Sequence, residues 1–448
     1  MISRFLSKIS GARSITYNAS VGILADTISL PLVIVSGVIV ARWLGPEQRG
    51  VWALLLTVNV VLAQLLSFGI PLAMPVFTAK RTFDLKRIHT VALIFAVFAG
   101  ALGILLYLAF QSGLHDTVLR GSEPQQALIA VLLFPLTLYG IMWDGIVTGL
   151  QEIQTLNLYK LLQVVVNLIN PVLALVLLDA GLSGMVIVWL IGAVIITVTR
   201  AIWLFQCAES RICWDAEAAQ SAIGFGAKIY PAFLMAALLG QMDVLFLNYF
   251  QGGRELGYYA VAAGFASRVD LLGAALTTAA NARLTSGGSH EVALLLASLL
   301  RRILAAGLIL ILLLGLFSSD IIVVLYGHDY APAALPFVAL LFAAVIRSFQ
   351  HVLAIHVVNH RQRPDIAFAF GLISFLIGVI LFATLIPKFG AFGCAVAVTL
   401  VTVSQAALYL GAFLRSTSLS VRSAIVWHGD DWQWLLSLYR RASFVKPT

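Results

Sequence analysis

The sequence predicts an all-α polytopic membrane protein, with about twelve transmembrane helices arranged in two parallel six-helix lobes. Composition is the first observation: 61% of the 448 residues are hydrophobic and 11% are charged, too few polar residues to cover a soluble domain of this size. The second is a series of apolar runs of about 20 residues, which match the hydrocarbon thickness of a bilayer as α-helices. The third is an internal repeat of glycine-containing turns.

The apolar runs are long enough for helices and too long for barrel strands, and helices satisfy their own backbone hydrogen bonds in lipid. The predicted spans are 17–42, 51–77, 89–111, 127–149, 160–178, 185–206, 228–250, 258–282, 295–317, 333–357, 366–386 and 391–414.

The turns between these spans recur at a shift of about 207 residues, which indicates a duplicated six-helix unit. The matching positions are Gly45 and Gly50 with Gly252 and Gly257, Gly121 with Gly327, and Gly181 with Gly390. Two such halves form a common transporter plan, in which the substrate path runs along their interface.

Lysine and arginine are concentrated in the loops on the side of the N-terminus, which predicts that both termini are cytoplasmic. The net charge of +8 is therefore interpreted as an orientation signal rather than a nucleic-acid site. An even number of spans in each half makes the repeats parallel. The predicted domains are an N-terminal lobe at 1–206, a cytoplasmic linker at 207–227, a C-terminal lobe at 228–415 and a cytoplasmic amphipathic tail at 416–448.

No motif in the sequence indicates soluble catalysis. There is no P-loop, nucleophile elbow or zinc-binding spacing, and three cysteines do not make a disulfide framework. The sequence therefore predicts neither an enzyme nor a cofactor or metal site.

Ionisable side chains inside a bilayer are costly, so each one in a predicted span is a candidate functional residue. Arg347 and His351 are four residues apart and share one helix face, and Arg268 lies in another span of the same half. Guanidinium groups suit bidentate contact with phosphate, which favours substrate binding. The alternative is that Arg347 pairs with a buried carboxylate such as Asp243.

Three acidic residues in the spans, Asp26, Asp144 and Asp243, are candidates for coupling to protons or sodium ions, because desolvation disfavours an isolated charge. The alternative for Asp26 and Asp144 is an ordinary carboxylate near the cytoplasmic surface. Tyr259 lies at the predicted mouth of the cavity, where an aromatic ring and nearby amides suit a glycan.

Four segments carry a resemblance to a known family: 41–50, with its Leu-Gly-Pro turn, and 242–245, 257–262 and 325–330. Through them the chain resembles the polysaccharide transporter family, the Wzx-type flippases of the MOP superfamily, over nearly its whole length. The resemblance implies a MATE-like or MOP-like fold and a cell inner membrane location.

The function that this resemblance implies is translocation of an undecaprenyl-diphosphate-linked oligosaccharide, by alternating access, for O-antigen, capsule or exopolysaccharide synthesis. The implied partners are the lipid-linked oligosaccharide and membrane lipids, with a polysaccharide polymerase or chain-length machinery as a further candidate and no nucleic acid. Two alternatives remain open. One is a MATE-like cation-coupled multidrug exporter, which Asp26 and Asp144 favour, and the other is a non-transporting scaffold of a polysaccharide assembly complex.

Overall fold

The computed structural model describes residues 15–208, 212–284, 289–355, 357, 364–417, 420 and 421. Every regular element among these residues is helical. The predicted amphipathic tail at 416–448 falls almost entirely outside the described residues.

We number the α-helices in chain order; short π and 3₁₀ segments follow α5 and α11. The helices are α1 Ile15–Leu65, α2 Ile70–Lys80, α3 Leu85–Asp116, α4 Pro124–Gly149, α5 Ile153–Pro171, α6 Gly181–Cys207, α7 Ala216–Leu239, α8 Met242–Gln251, α9 Gly253–Leu284, α10 Ser289–Leu316, α11 Ser318–Tyr326, α12 Ala334–Ile355 and α13 Pro364–Thr417.

Two helices are too long for one crossing of a membrane. At a rise of about 1.5 Å per residue, the 51 residues of α1 and the 54 of α13 far exceed a hydrocarbon core of about 30 Å. Non-helical glycines, Gly45 and Gly390, break them, so each contains two spans. Eight described helices are long and apolar enough to cross a membrane, or nine with the bent α7, and these two are among the eight. The fold agrees with the predicted all-α membrane protein.

The repeated turns share a backbone conformation that is rare for residues with a side chain. In three of the four predicted pairs both glycines have a positive φ, which glycine adopts at little steric cost. The φ angles are 71° and 80° at Gly45 and Gly252, 88° and 102° at Gly121 and Gly327, and 60° and 55° at Gly181 and Gly390. The repeat found in the sequence is therefore also present in the backbone.

The predicted span at 51–77 is wrong in one respect, because the helix is interrupted between α1 and α2. Phe68 and Gly69 have positive φ angles of 46° and 75°, and Pro71 lies in the first turn of α2. Gly69 also packs on the backbone of α7, where a Cβ would lie 2.7 Å from the Gly226 carbonyl oxygen. This close approach of two backbones explains the interruption.

The predicted span at 228–250 is likewise divided, into α7 and α8. Gly240 ends α7, and its N–H donates to the Ala236 carbonyl oxygen at 3.2 Å. Gln241 then begins the second helix as its N-cap residue.

The chain forms two compact units. One comprises Met1–Val261 with Leu325–Asp329, and the other comprises Ala262–Val324 with Tyr330–Thr448. The division falls inside α9 and not in the predicted linker at 207–227, so the first unit contains the start of the second sequence repeat. The predicted lobes at 1–206 and 228–415 correspond to the two sequence repeats, and their role as domains stays a prediction.

Helix α4 forms the centre of the first unit, where Phe134, Tyr139 and Trp143 are each at most 2% exposed. The Trp143 ring packs edge-on to Trp203 of α6, with the ring centroids 5.6 Å apart. The second unit has its own core, in which Phe349 of α12 and Phe413 of α13 are buried together.

Candidate functional site

The two repeated glycine turns, 45–50 and 252–257, pack directly against each other inside the first unit. A Cβ on Gly50 would overlap the Gly253 carbonyl oxygen, and a Cβ on Gly257 would overlap the Pro46 carbonyl oxygen. At these two positions the contact is thus made by main-chain atoms. We call these two segments the glycine clasp.

The glycine clasp has the internal symmetry of the repeat. At the shift that relates the repeats, Gly253 is the counterpart of Pro46 and Gly257 is the counterpart of Gly50. Each carbonyl oxygen therefore faces the glycine four positions further along in the other repeat. A reciprocal contact of this kind is the mark of a two-fold relation between the contacting surfaces.

Hydrogen bonds from neighbouring segments hold the surroundings of the glycine clasp. Arg42 donates from Nε to the Leu325 carbonyl oxygen at 2.8 Å. Asn248, fully buried on α8, donates from Nδ2 to the carbonyl oxygens of Val118 and Arg120 at 2.9 and 3.1 Å. These bonds join turns from the two repeats at the same end of the helices.

Two predicted site residues meet next to the glycine clasp. The hydroxyl of Tyr259 donates a hydrogen bond to the carboxylate of Asp243, and Tyr259 is 2% exposed. The other carboxylate oxygen of Asp243 accepts the Val244 N–H at 2.9 Å. The predicted glycan residue and the predicted coupling residue are thus direct partners, while both roles stay predictions.

A polar cavity of about 270 Å³ lies in the first unit between α4, α5 and α6. It lies within segments that are long and apolar enough to cross a membrane. Its lining residues are Leu133, Leu136, Thr137, Gly140, Ile141, Asp144, Gln163, Asn167, Trp189, Ala193, Ile196, Thr197 and Arg200.

Arg200 of α6 is the cation of this cavity. It pairs with Asp144, with Nη2 and Oδ1 3.4 Å apart, and its Cζ atom lies 5.1 Å from the Trp143 ring centroid. Gly140 makes room for it, because a Cβ there would overlap Arg200 Nη1. The Trp143 Nε1–H also donates to the Arg200 carbonyl oxygen at 3.0 Å. The carboxylate of Asp144, the ring of Trp143 and the space left by Gly140 together hold the guanidinium in position.

Asp144 is a site residue that the sequence predicts. The role of Arg200 was missed, because a cation near the end of a span is counted with the cations of the cytoplasmic loops. The signal was present, because Arg200 lies within the predicted span at 185–206, in which every other residue is uncharged. A cation in such a position requires a partner.

The remaining predicted residues lie apart from the cavity lining. Asp26 is exposed on α1, Arg268 is half-buried on α9, and Arg347 and His351 are exposed on α12. Arg347 and His351 are on one helix, four residues apart, as predicted. Their substrate-binding roles, and the coupling role of Asp26, stay predictions.

No group of three or more histidine, cysteine, aspartate or glutamate residues is placed to hold a metal ion within the part of the chain that the structure describes. None of Cys207, Cys213 and Cys394 forms a disulfide.

The helices, broken spans and repeat together define a multi-pass membrane protein. Residues 39–335 match the family model described as polysaccharide biosynthesis protein. Because this match covers more than half of the chain, the protein belongs to that family.

Solved structures share the fold. The lipid II flippase MurJ in its inward closed conformation has a TM-score of 0.67 at 15% identity, over 95% of this chain and 93% of that chain. An inward-facing multidrug resistance MATE family transporter of the MOP superfamily also has a TM-score of 0.67 at 15% identity, over 89% and 98%. A MOP superfamily transporter from Pyrococcus furiosus has a TM-score of 0.53 at 13% identity, over 90% and 94%.

No curated protein sequence matches the chain. The fold is one that a membrane flippase and a membrane transporter share.

Proposed function

We propose that the protein is a flippase that moves an undecaprenyl-diphosphate-linked oligosaccharide across the bacterial inner membrane by alternating access. Membership of a polysaccharide biosynthesis family supports the substrate class. The fold, shared with a lipid II flippase and with MATE transporters, supports the mode of action. A lipid-linked sugar needs such a protein because its polar part does not cross hydrocarbon unaided.

The glycine clasp is the observation that carries this proposal. A carrier with alternating access must close one end of its path with a contact that can also open. At Gly50 and Gly257 the contact is made through main-chain atoms of Gly253 and Pro46, so at these two positions no side chain has to change its rotamer when the segments separate. The reciprocal arrangement also gives each repeat the same share in the contact, as in carriers that are built from repeated halves. With both termini cytoplasmic, the clasp closes the periplasmic end.

In this account Arg268, Arg347 and His351 bind the diphosphate, while Tyr259 contributes to the glycan path. Guanidinium groups recognise phosphate oxygens through paired hydrogen bonds. Asp243 and Asp26 are the candidates for coupling to a proton or sodium gradient, with Asp144 as the third. A polysaccharide polymerase or chain-length machinery is the candidate protein partner.

The test is a deletion strain complemented with the wild-type gene. Deletion is expected to abolish the surface polysaccharide and to accumulate the lipid-linked intermediate in the cytoplasmic leaflet. A double variant, Arg268→Ala with Arg347→Ala, is expected to reproduce both effects, while Lys388→Ala, which removes an exposed cation, is the control. Normal polymer in the deletion strain would contradict the proposed function, and normal polymer in the double variant would contradict the headgroup role alone.

A multidrug exporter is the second candidate, because half-buried Asp144 and exposed Asp26 are carboxylates of the kind that cationic drugs require. The same deletion strain distinguishes it. Loss of resistance to cationic drugs with unchanged polymer would favour the exporter.

A further inference from the structure

The polar cavity between α4, α5 and α6 is a built site and not a packing defect. A void left by imperfect packing is lined by apolar side chains, whereas this cavity presents a carboxylate, a guanidinium, two amides and two hydroxyl groups. Its volume of about 270 Å³ lies below the range of about 300 to 1,000 Å³ typical of drug-sized ligands. The occupant it suits is therefore a small polar molecule.

Charge excludes several classes of occupant. Arg200 and Asp144 face each other at 3.4 Å, so the two charges largely cancel within the cavity. A phosphate would be repelled by Asp144, and a drug cation would be repelled by Arg200, which is only 12% exposed and fixed against Trp143. A neutral ligand meets neither penalty.

The other lining groups favour a ligand with many hydroxyls. Gln163 donates from Nε2 to Asn167 Oδ1 at 3.2 Å, which leaves the second Nε2 hydrogen and the Asn167 amide hydrogens as donors. Thr197 adds a hydroxyl that both donates and accepts. Amides and hydroxyls of this kind match the alternating donors and acceptors of a sugar ring.

An indole supplies the apolar part of the site. Trp189 lines the cavity and packs edge-on to buried Trp52, with the ring centroids 4.9 Å apart. That contact fixes its orientation. A sugar ring has one apolar face of C–H groups and a polar rim, so it suits an aromatic surface surrounded by amides and hydroxyls.

We propose that this cavity binds one neutral sugar unit of the transported molecule, at a subsite separate from the residues assigned to the diphosphate. The inference rests on the proposed flippase function and adds the location and the chemical class of glycan recognition. Asp144 and Arg200 act here as a neutral pair of hydrogen-bonding groups at the edge of the sugar.

The experiment is saturation-transfer NMR on the purified full-length protein in detergent. The probes are glucose, galactose, mannose and N-acetylglucosamine, measured beside inorganic phosphate and tetraphenylphosphonium. Wild-type protein is expected to bind at least one of the four sugars. Gln163→Leu is expected to raise its Kd about fivefold, the usual effect of losing one neutral hydrogen bond, whereas Leu162→Ala, which trims the exposed neighbour, is expected to leave it unchanged.

A second variant guards against a folding defect. Thr197→Val preserves the shape of the side chain and removes only the hydroxyl, so weaker sugar binding with an unchanged melting temperature supports the site. Binding of no sugar by the wild type, or equal binding by both cavity variants and Leu162→Ala, would overturn the proposal. Binding of phosphate or of the organic cation that is lost in Gln163→Leu would also overturn it.

The outcome is separable from that of the deletion experiment. If sugar binding fails while surface polymer still depends on the gene, only the subsite is wrong. If the cavity binds sugar while the deletion strain makes normal polymer, the flippase proposal is wrong.

Discussion

The glycine clasp and the polar cavity lie in the same compact unit, yet they use glycine in opposite ways. At the clasp, Gly50 and Gly257 remove side chains so that two main chains can touch. At the cavity, Gly140 removes a side chain so that the guanidinium of Arg200 can lie against α4. The clasp glycines leave no space between two segments, whereas Gly140 leaves space that the Arg200 side chain occupies. A contact between two main chains suits a movable closure, whereas a cavity that holds a guanidinium in place suits a binding site.

The largest expected effect follows from the clasp. In Gly257→Ala the new Cβ would meet the Pro46 carbonyl group, a main-chain neighbour that cannot rotate away. Overpacking of this kind destabilises the closed clasp by about 1 to 3 kcal/mol. The population of the closed state is therefore expected to fall strongly, and the amount of surface polymer is expected to fall with it. The measurement is polymer per cell, normalised to protein in the membrane.

Gly264→Ala is the matched control for this variant. Gly264 lies two turns further along α9, and a Cβ added there would meet no heavy atom of a neighbouring segment within 4 Å. It is expected to retain wild-type polymer. Equal loss in both variants would attribute the effect to helix α9 in general rather than to the clasp.

A smaller effect is expected from Asp144→Asn, which removes the charge partner of Arg200. Loss of the charged partner of a mostly buried guanidinium lowers the free energy of unfolding by about 1 to 3 kcal/mol. The melting temperature in detergent is therefore expected to fall. Arg200→Met in the same protein should restore most of that loss, because both members of the pair are then gone.

The predicted coupling role gives a different result for the same pair of variants. If Asp144 binds the coupling ion, Asp144→Asn abolishes the dependence of transport on the ion gradient, and Arg200→Met does not restore it. Restored stability together with gradient-dependent transport in the double variant would therefore exclude coupling at Asp144.

Gly140→Ala is expected to act on binding with little change in stability. The new Cβ meets the far end of the Arg200 side chain, which can shift, whereas the clasp glycines meet main-chain atoms. We expect the Kd for the sugar probe to rise about threefold, somewhat less than the loss of one hydrogen bond. An unchanged Kd would show that the position of Arg200 does not matter to the cavity.

The smallest effect concerns the segment that leads into α7. Asp215 is the N-cap of α7, and its pKa lies below the ordinary value because the Ala218 N–H and then Arg87 favour the charged carboxylate. A lowered folded-state pKa means that this stabilisation is fully present above about pH 4, the unfolded value, and is lost as the pH falls further.

Asp215→Asn keeps a good helix cap and removes the charge pair with Arg87, whose Nη1 lies 2.5 Å from Asp215 Oδ2. The variant is expected to melt slightly lower at pH 7, and the difference from wild type should narrow as the pH falls below about 4. Glu217→Gln, two residues further on, is the control. A constant difference at every pH would contradict the charge-pair explanation.

The sequence predicted more of the fold than of the site. The paired turns at Gly45 and Gly252 were visible because only glycine tolerates a positive φ readily, so the same requirement appears twice in the chain. Their mutual contact was not predictable, since it depends on how distant helices pack. The interruption at Gly69 was missed although Pro71 follows it, because the apolar run continues through both residues.

For the site, ionisable residues such as Asp144 stood out against an apolar background. Sequence alone did not show its partner, because Arg200 lies near a span end, where a cation is normally explained by topology. The amides Gln163 and Asn167 were not distinguishable from those that hold helices together. Only the structure shows that they share a cavity with Trp189.

The most direct test of the account is a reversible cross-link across the glycine clasp. A Cβ on Gly253 would lie 3.6 Å from Glu47 Cγ, so Glu47→Cys with Gly253→Cys, in a variant lacking the three native cysteines, should form a disulfide. Oxidation is expected to stop export of the polysaccharide and accumulate the lipid-linked intermediate, and a reductant should reverse both. Full export with the disulfide intact would contradict the claim that the clasp opens during transport.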